Sequence, residues 1–518
     1  MLTKTEFLIA DRLKIGAKKH ALVIGAGFGG LAAAMRLGAK GYQVTILDRL
    51  DVVGGRASSV QMGGHRFDLG PTIVTVPHVF EDLFAATGRK LADYADIRPL
   101  DPYYEIRWQD GSQFFASQDL DNIRAQIAKM APSELAGFEK FLKLSKTRYH
   151  FGFENLGRRS LHKLTDFLPT LPKFAALRAD RSILTLAKKC FKDPRLQMAF
   201  SFHPLFIGGD PNNVTSVYAL VSYLEAEYGV HYAMGGAGAL ANAMAKVIRE
   251  QGGQIFLDTT VDRIVTKDNR AIGVEISNGE HISADLIVSN ADSGHTYQRL
   301  LRDLPKKRWS DSKLKSSRWS MGLFVWYFGT KGTRGMWSDV GHHTILNGPR
   351  YKGLLEDIFI KGHLADDMSL YIHRPAITDP TVAPEGDDTF YALSPVPHLG
   401  HDSPYDWDKL AETYKAKLAK QLDKYVLPGF QNYLTEELIF TPETFRDRYL
   451  SPYGSAFSLE PRIFQSAWFR PHNISEDVKG LYLVGAGTHP GAGLPGVVST
   501  AEVMDKLVPH AREWVSNA

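Results

Sequence analysis

One cysteine, Cys190, stands in a chain of 518 residues, which excludes a disulfide framework. It has no CxxC companion for a metal or redox pair, so a reducing compartment and a buried or idle thiol are expected. Charge of one sign is lacking too: a formal net charge of +4 is too small a bias to point to nucleic acid. No stretch reaches the roughly 18 uninterrupted apolar residues of a transmembrane helix. Residues 1–20 lack a long apolar core and carry Asp11 and several lysines, which argues against a signal peptide, and residues 1–18 read as a flexible N-terminal extension. Internal repeats and low-complexity tracts are not evident. No serine sits in a GxSxG setting, and no His/Cys/Asp/Glu cluster has metal-ligand spacing, so no metal is expected.

What is there begins with Ala21-Leu-Val-Ile-Gly-Ala-Gly-Phe-Gly-Gly30, succeeded by Val44-Thr-Ile-Leu-Asp48. The apolar run 21–24 predicts a buried strand, and 31–40 has the alanine and leucine spacing of a helix packed on it. Between them Gly25 permits the tight turn, Gly27 removes a Cβ from the approach of a pyrophosphate, and Gly30 lets helix and strand pack closely. The helix N-terminus faces the phosphates. Asp48 ends the second strand where a carboxylate accepts from ribose hydroxyls and repels a 2′-phosphate, which favours NAD or FAD over NADP. Ala26 and Arg49 belong to the same turns.

Two further glycine segments decide between NAD and FAD. Gly54-Gly55-Arg56 and Phe67-Asp-Leu-Gly70-Pro71-Thr72 have no use in a nicotinamide enzyme, whereas Gly55 N–H and the Arg56 cation suit the pyrophosphate of a cofactor that stays bound. Near the far end, Gly480-Leu-Tyr-Leu-Val-Gly485-Ala-Gly487-Thr-His489 and Pro495-Gly496-Val497 predict a short strand, a glycine loop and a helix running to about His510. The start of that helix can hold the pyrimidine edge of a flavin and stabilise negative charge there. Strands predicted at 254–257, 260–265, 271–276 and 284–289 fit the same unit, with Val261 placed for backbone contact with an adenine.

The expected fold class is α/β. A Rossmann-like FAD-binding domain is assembled from 19–75, 229–298 and 477–512. A mixed-sheet substrate domain spans 76–118 and 299–476, and a helical domain spans 119–228. Within the last, residues 158–192 interleave Arg158, Arg159, Arg178, Arg181, Lys188 and Lys189 with leucines and phenylalanines. That pattern predicts either a pair of interfacial helices meeting anionic lipid or an ordinary amphipathic segment with a solvated basic face. Trp319-Ser-Met-Gly-Leu-Phe-Val-Trp-Tyr-Phe328 has the aromatic density of a tunnel wall and equally that of a plain sheet strand.

These residues together resemble the bacterial-type phytoene desaturases, carotenoid-forming FAD oxidoreductases with a fold like that of flavin amine oxidases. The run Leu483-Val-Gly-Ala-Gly-Thr-His-Pro-Gly-Ala-Gly493 is similar to the family's signature, and Phe67–Thr72, Phe200–Gly209, Ser394–Gly400 and Gln465–His472 resemble further family blocks. The resemblance implies FAD-dependent desaturation of 15-cis-phytoene, by hydride transfer to flavin and proton loss, through phytofluene and ζ-carotene to neurosporene or lycopene. It also implies a C40 polyene substrate, a cytoplasmic protein held peripherally at the inner face of the cell membrane, and oxygen or a quinone as electron acceptor. Asp166 matches an acid proposed to assist charge or proton movement, although Pro169 stands where some relatives have arginine; an N-cap or membrane-facing role suits Asp166 equally. His203 and His489 are further candidates for the base. Two alternatives remain: a sister desaturase acting on a hydroxylated or methoxylated carotenoid, and a flavin-free binding protein like the Rab GDP-dissociation inhibitors, against which the intact glycines, Asp48 and Arg56 argue.

Overall fold

The computed structural model describes residues 9, 13, 16, 18–400 and 403–513, so the expected extension over 1–18 falls largely outside the described residues. Strand β1 (His20–Ile24) ends at Gly25, whose φ of 96° suits glycine alone, and the chain turns into α1 (Phe28–Ala39) and returns along β2 (Gln43–Leu47). A hairpin of Ser59–Met62 and His65–Asp68, a helix at Pro77–Ala85 and a strand at Ile97–Leu100 precede β3 (Tyr104–Trp108) and β4 (Gln113–Ala116). Helices over Leu120–Met130 and Leu135–Tyr149 and several shorter ones fill the chain up to α2 (Leu220–Tyr228), and after a strand at Val230–Ala233 α3 (Gly236–Glu250) leads into β5 (Gln254–Phe256). After a small antiparallel meander over Val261–Lys267, Arg270–Ile276 and His281–Ser283 comes β6 (Leu286–Ser289). The second long insertion supplies β7 (Gly322–Thr330), β8 (His343–Asn347), β9 (Leu370–His373), β10 (Asp388–Val396), α4 (Trp407–Tyr425) and β11 (Leu434–Phe440). β12 (Leu481–Leu483) and α5 (Leu494–Asp505) complete the fold.

Two sheets position everything else. The first runs β12-β6-β1-β2-β5 with every pairing parallel, drawing on segments hundreds of residues apart. Alanines 32–34 of α1 are fully buried, and that small-residue face lets the helix lie close on the sheet, with Leu240 and Met244 of α3 and Val498 and Met504 of α5 in the same core. Helix α5 stops at Asp505 rather than near His510. Pro509 lacks an N–H and disfavours helical geometry in the residue before it.

The second sheet runs β11-β7-β10-β9-β8-β3-β4 and is antiparallel except where β8 meets β3. Period-two alternation along β7 divides its side chains cleanly. Phe324, Trp326 and Phe328 pack with Trp407, Tyr414 and Leu418 of α4, while Leu323, Val325 and Tyr327 face a cavity on the other side. The two expectations for this strand, core and tunnel wall, are therefore both met, one on each face.

Residues 158–192 do not form two continuous helices. Pro169 and Pro172 break the segment into Leu164–Phe167, a 3-10 turn at Leu168–Thr170 and Leu171–Ala176, and a separate helix spans Ile183–Cys190. That last helix buries Ile183, Leu184, Leu186 and Ala187, so its apolar face belongs to the protein interior. Only the first arm keeps leucines outside: Leu164, Leu168 and Leu171 are 48%, 49% and 42% exposed.

Candidate functional site

One continuous cavity of about 660 Å³ begins at the glycine turn after β1 and extends beneath the second sheet. Its polar end is built by the parallel sheet. Gly25, Gly27 and Asp48 line it, with Arg49, Gly55 and Arg56 alongside. Gly54 N donates to Ala26 O at 2.8 Å, which clamps the second glycine pair against the first turn. A Cβ on Gly27 would stand 2.9 Å from Asn290 Nδ2, and one on Gly29 would stand 2.5 Å from Asn290 Oδ1. Glycine at these two positions thus lets the turn pack directly on Asn290, where a side chain would collide with it.

Asp48 is buried at the tip of β2, where Ala26 N donates to Oδ2 and Leu50 N to Oδ1, at 2.5 and 2.8 Å. Burial pushes its carboxyl above the usual range, and these two N–H groups pull it back. The Arg56 guanidinium donates to Ser451 Oγ and lies 3.3 Å from Asp292 Oδ2, while Arg49 donates to the carbonyls of Asp447 and Arg448. Val261 lines the same end.

The middle of the cavity is lined by Gly70, Pro71 and Thr72 on one side and by Gly485, Gly496 and Val497 on the other. Thr72 Oγ1 lies 3.2 Å from the Tyr391 hydroxyl, and Gly485 N donates to Thr500 Oγ1 at 2.9 Å. The first turn of α5 opens here, with N–H groups that have no partner within the helix. His489 also lines it, its Nε2 2.9 Å from Leu156 O, and burial pulls its pKa down to about 4, so it is neutral near pH 7.

Three expected cofactor-binding residues lie just outside the lining. Ala26 acts through its backbone only, Gly30 packs on the Gly25 carbonyl, and a Cβ on Gly487 would meet Ser293 Oγ at 2.4 Å.

Beyond the glycine-lined part the walls become apolar: Leu323, Val325, Tyr327, Ile345 and Leu393 from the sheet, and Phe202, Leu205 and Phe206 from the helical insertion. A buried polar cluster around Glu225 interrupts them. Glu225 on α2 accepts from the Tyr104 hydroxyl at 3.0 Å through Oε1 and bonds His203 Nε2 at 3.0 Å through Oε2. All three residues are at most 4% exposed.

The cavity's rim is formed by Phe167, Leu171, Phe174, Phe464 and Phe469, of which Phe464 is 73% exposed. Phe167 and Phe469 meet edge to face at 5.6 Å. Asp166, the expected catalytic acid, is exposed on the outside of this rim and does not line the cavity, because the one-turn helix 164–167 turns Phe167 inward instead. Arg178 and Arg181 both pair with Asp180, which reduces the basic character expected of this region.

Two features escape a reading of the sequence. Asn290 sits against Gly25, Gly27, Gly29 and Gly485 at once; its only linear signal is its position one residue past a strand. Three buried histidines, His342, His343 and His373, bring ligand atoms within 4.8 Å of one another, although no metal-ligand spacing is visible. The third comes from the neighbouring strand, paired with the second in register.

The sequence pattern of flavin containing amine oxidoreductases matches residues 28–502. The chain is 63% identical over 492 residues to a protein of Cereibacter sphaeroides named phytoene desaturase (neurosporene-forming), covering 95% of each. It is 41% identical over 490 residues to a phytoene desaturase (lycopene-forming) of Pseudescherichia vulneris, covering 95% of this chain and 99% of that one. Among solved structures, cyclohexylamine oxidase from Brevibacterium oxydans is similar with a TM-score of 0.60 at 16% identity, over 96% of this chain and 99% of that one, a likeness of fold.

Proposed function

The chain belongs to the flavin-containing amine oxidoreductases, in their phytoene desaturase branch, and from that premise we propose that it is an FAD-dependent desaturase of 15-cis-phytoene in carotenoid biosynthesis. The observation that carries the reading is the continuity of the cavity: a dinucleotide cradle opens without a wall into an apolar arm. Neurosporene is the expected main product, since that product names the 63%-identical relative.

The residues fit FAD. In this reading the backbone of the turns at Gly25, Gly27 and Gly55 and the Arg56 cation would hold the pyrophosphate, with Gly30 and Ala26 shaping the first turn. Asp48 accepts from the ribose, Val261 meets the adenine, Arg49 closes that end, and Gly70–Thr72, Gly485, Gly487, Gly496 and Val497 shape the pocket for the ring. When bound, the flavin supplies a two-electron acceptor for hydride. The apolar arm binds the polyene by burial, since the substrate has no heteroatom to recognise, and excludes water from a site where positive charge develops on carbon. The Glu225 carboxylate is the acidic group among the arm's walls that can stabilise such charge.

No helix among the described residues is long and apolar enough to cross a membrane. We place the rim, with Leu164, Leu168, Leu171 and Phe464, against the inner surface of the cell membrane as a docking patch that takes substrate directly from lipid. The reduced cofactor would pass its two electrons to an acceptor of the oxygen or quinone class.

The decisive experiment incubates purified, FAD-loaded protein with phytoene in liposomes and tracks the products by absorption after chromatographic separation. Phytofluene, ζ-carotene and neurosporene appearing in order support the reading; unchanged phytoene with full flavin content overturns it. Conversion only of hydroxylated or methoxylated carotenoids assigns the sister activity instead.

A further inference from the structure

We propose that His342, His343 and His373 form a structural binding site for a divalent first-row transition ion, Zn²⁺ in the first instance, behind the wall of the apolar cavity. His343 and His373 face each other across β8 and β9, and paired residues in an antiparallel sheet project to the same side. His342, just before β8, brings its Nε2 to 3.1 Å from His373 Nε2. All three are buried, and each offers a ring nitrogen within 4.8 Å of the others.

A proton satisfies two of these nitrogens at most. A hydrogen bond between His342 and His373 leaves His343 Nε2 buried with no partner among the described residues. A metal ion satisfies all three, and three imidazoles with one position left for water is a donor set that zinc accepts.

The outer contacts are those that hold imidazole ligands. His342 Nδ1 lies 2.6 Å from Thr378 Oγ1, and His343 Nδ1 lies 2.7 Å from the Tyr371 hydroxyl. If each Nδ1–H donates outward, each Nε2 presents its lone pair inward, the tautomer that metal binding needs. A buried carboxylate, Asp379, acts electrostatically on His342 and offsets the ion's charge. Tyr371 lines the cavity, so an ion here would fix the position of that wall through His343. The role is structural; no electron or group transfer passes through it.

The test uses the full-length, FAD-loaded protein without a histidine tag. Zinc, iron, nickel, copper and cobalt are quantified after gel filtration, and Co²⁺ alone is then titrated into chelator-treated protein while ligand-field bands are recorded. The expected result is about one ion per chain and a low-coordinate Co²⁺ spectrum. Thr378→Val, which keeps the ligands, should weaken Co²⁺ affinity by about 10–100-fold, and His343→Ala should remove the bands. Flavin absorbance reports whether each variant is folded. A native protein that carries no transition ion and leaves Co²⁺ with its aqua spectrum overturns the proposal. So does binding that both variants, flavin-loaded, leave unchanged.

Discussion

Gly30 and Gly25 stand so close that a β-carbon on the first would lie 2.0 Å from the carbonyl oxygen of the second. The obstacle is backbone, at the point where α1 leaves the turn, and it cannot swing aside as a side chain would.

Gly30→Ala therefore has to push α1 off β1, and the turn that holds Gly25 and Gly27 goes with it. The expected result is protein purified without flavin, or with flavin affinity reduced at least about 100-fold, as befits a close-packing glycine of a dinucleotide turn. Gly27→Val should also abolish binding, through its clash with Asn290. Full flavin content in Gly30→Ala would show that the turn is more yielding than its geometry says.

The two faces of β7 separate stability from substrate fit. Trp326→Ala removes a ring buried against Phe328 and Phe430 and should cost about 3–5 kcal/mol in denaturant unfolding. Val325→Trp, on the cavity face, should keep flavin but lower kcat/KM for phytoene by about tenfold or more as the arm narrows. Equal kinetics for Val325→Trp and parent would move the substrate path elsewhere.

Membrane docking is tested at the leucines rather than the arginines. Replacing Leu164, Leu168 and Leu171 by aspartate removes about 1 kcal/mol or more of burial each, so co-sedimentation with anionic liposomes should fall more than tenfold while flavin content holds. Glutamates at Arg178 and Arg181 should do less, since Asp180 already neutralises part of their charge. Undiminished pelleting of the leucine variant would return the rim to a solvated surface.

Asp166→Asn should keep turnover within about twofold of the parent, because the carboxylate lies outside the cavity. A positioned base is worth about 100-fold or more. A loss of that size, with flavin retained, would restore Asp166 to the chemistry.

Acidification should destabilise the fold. Burial holds His489 down to about 4, His342 to about 3, and His343 and His373 lower than ordinary imidazoles. Each stays neutral when folded and takes a proton on unfolding, so its contribution is whole above about pH 6.5 and is lost as pH falls toward the folded value. Asp68 and Glu460, lifted to about 7 by burial, act in the opposite sense. Their contribution is whole at low pH and is lost as pH rises toward 7. The imidazoles outnumber the carboxyls, so thermal midpoints should drop between about pH 6.5 and 4.5, with each unbalanced proton worth about 1.4 kcal/mol per pH unit. Midpoints that climb across this window would contradict the balance.

The dinucleotide unit is legible in the sequence because its geometry is local: the turn at Gly25, the glycine pair at Gly54 and the acid at Asp48 all lie within one short segment, and backbone conformation demands those residue types. Alternation along β7 is legible for the same reason. What stays hidden depends on side chains meeting across long separations. Asn290 touches glycines from both ends of the chain, and His373 meets His343 only because β9 pairs with β8 in one register. The arm at 158–192 is only partly legible because basic residues at helical spacing do not say which face is covered, and Pro169 and Pro172 cut the helix that the spacing suggests.

Edge strand β12 and helix α5 are translated after every other element of the parallel sheet, yet Gly485 lies against Asn290 beside the first glycine turn. A nascent chain still on the ribosome therefore exposes the cradle with one side missing, and stable capture of a cofactor waits until residues beyond 481 emerge. Synthesis that stalls before that point leaves an apoprotein, whatever the flavin supply of the cell.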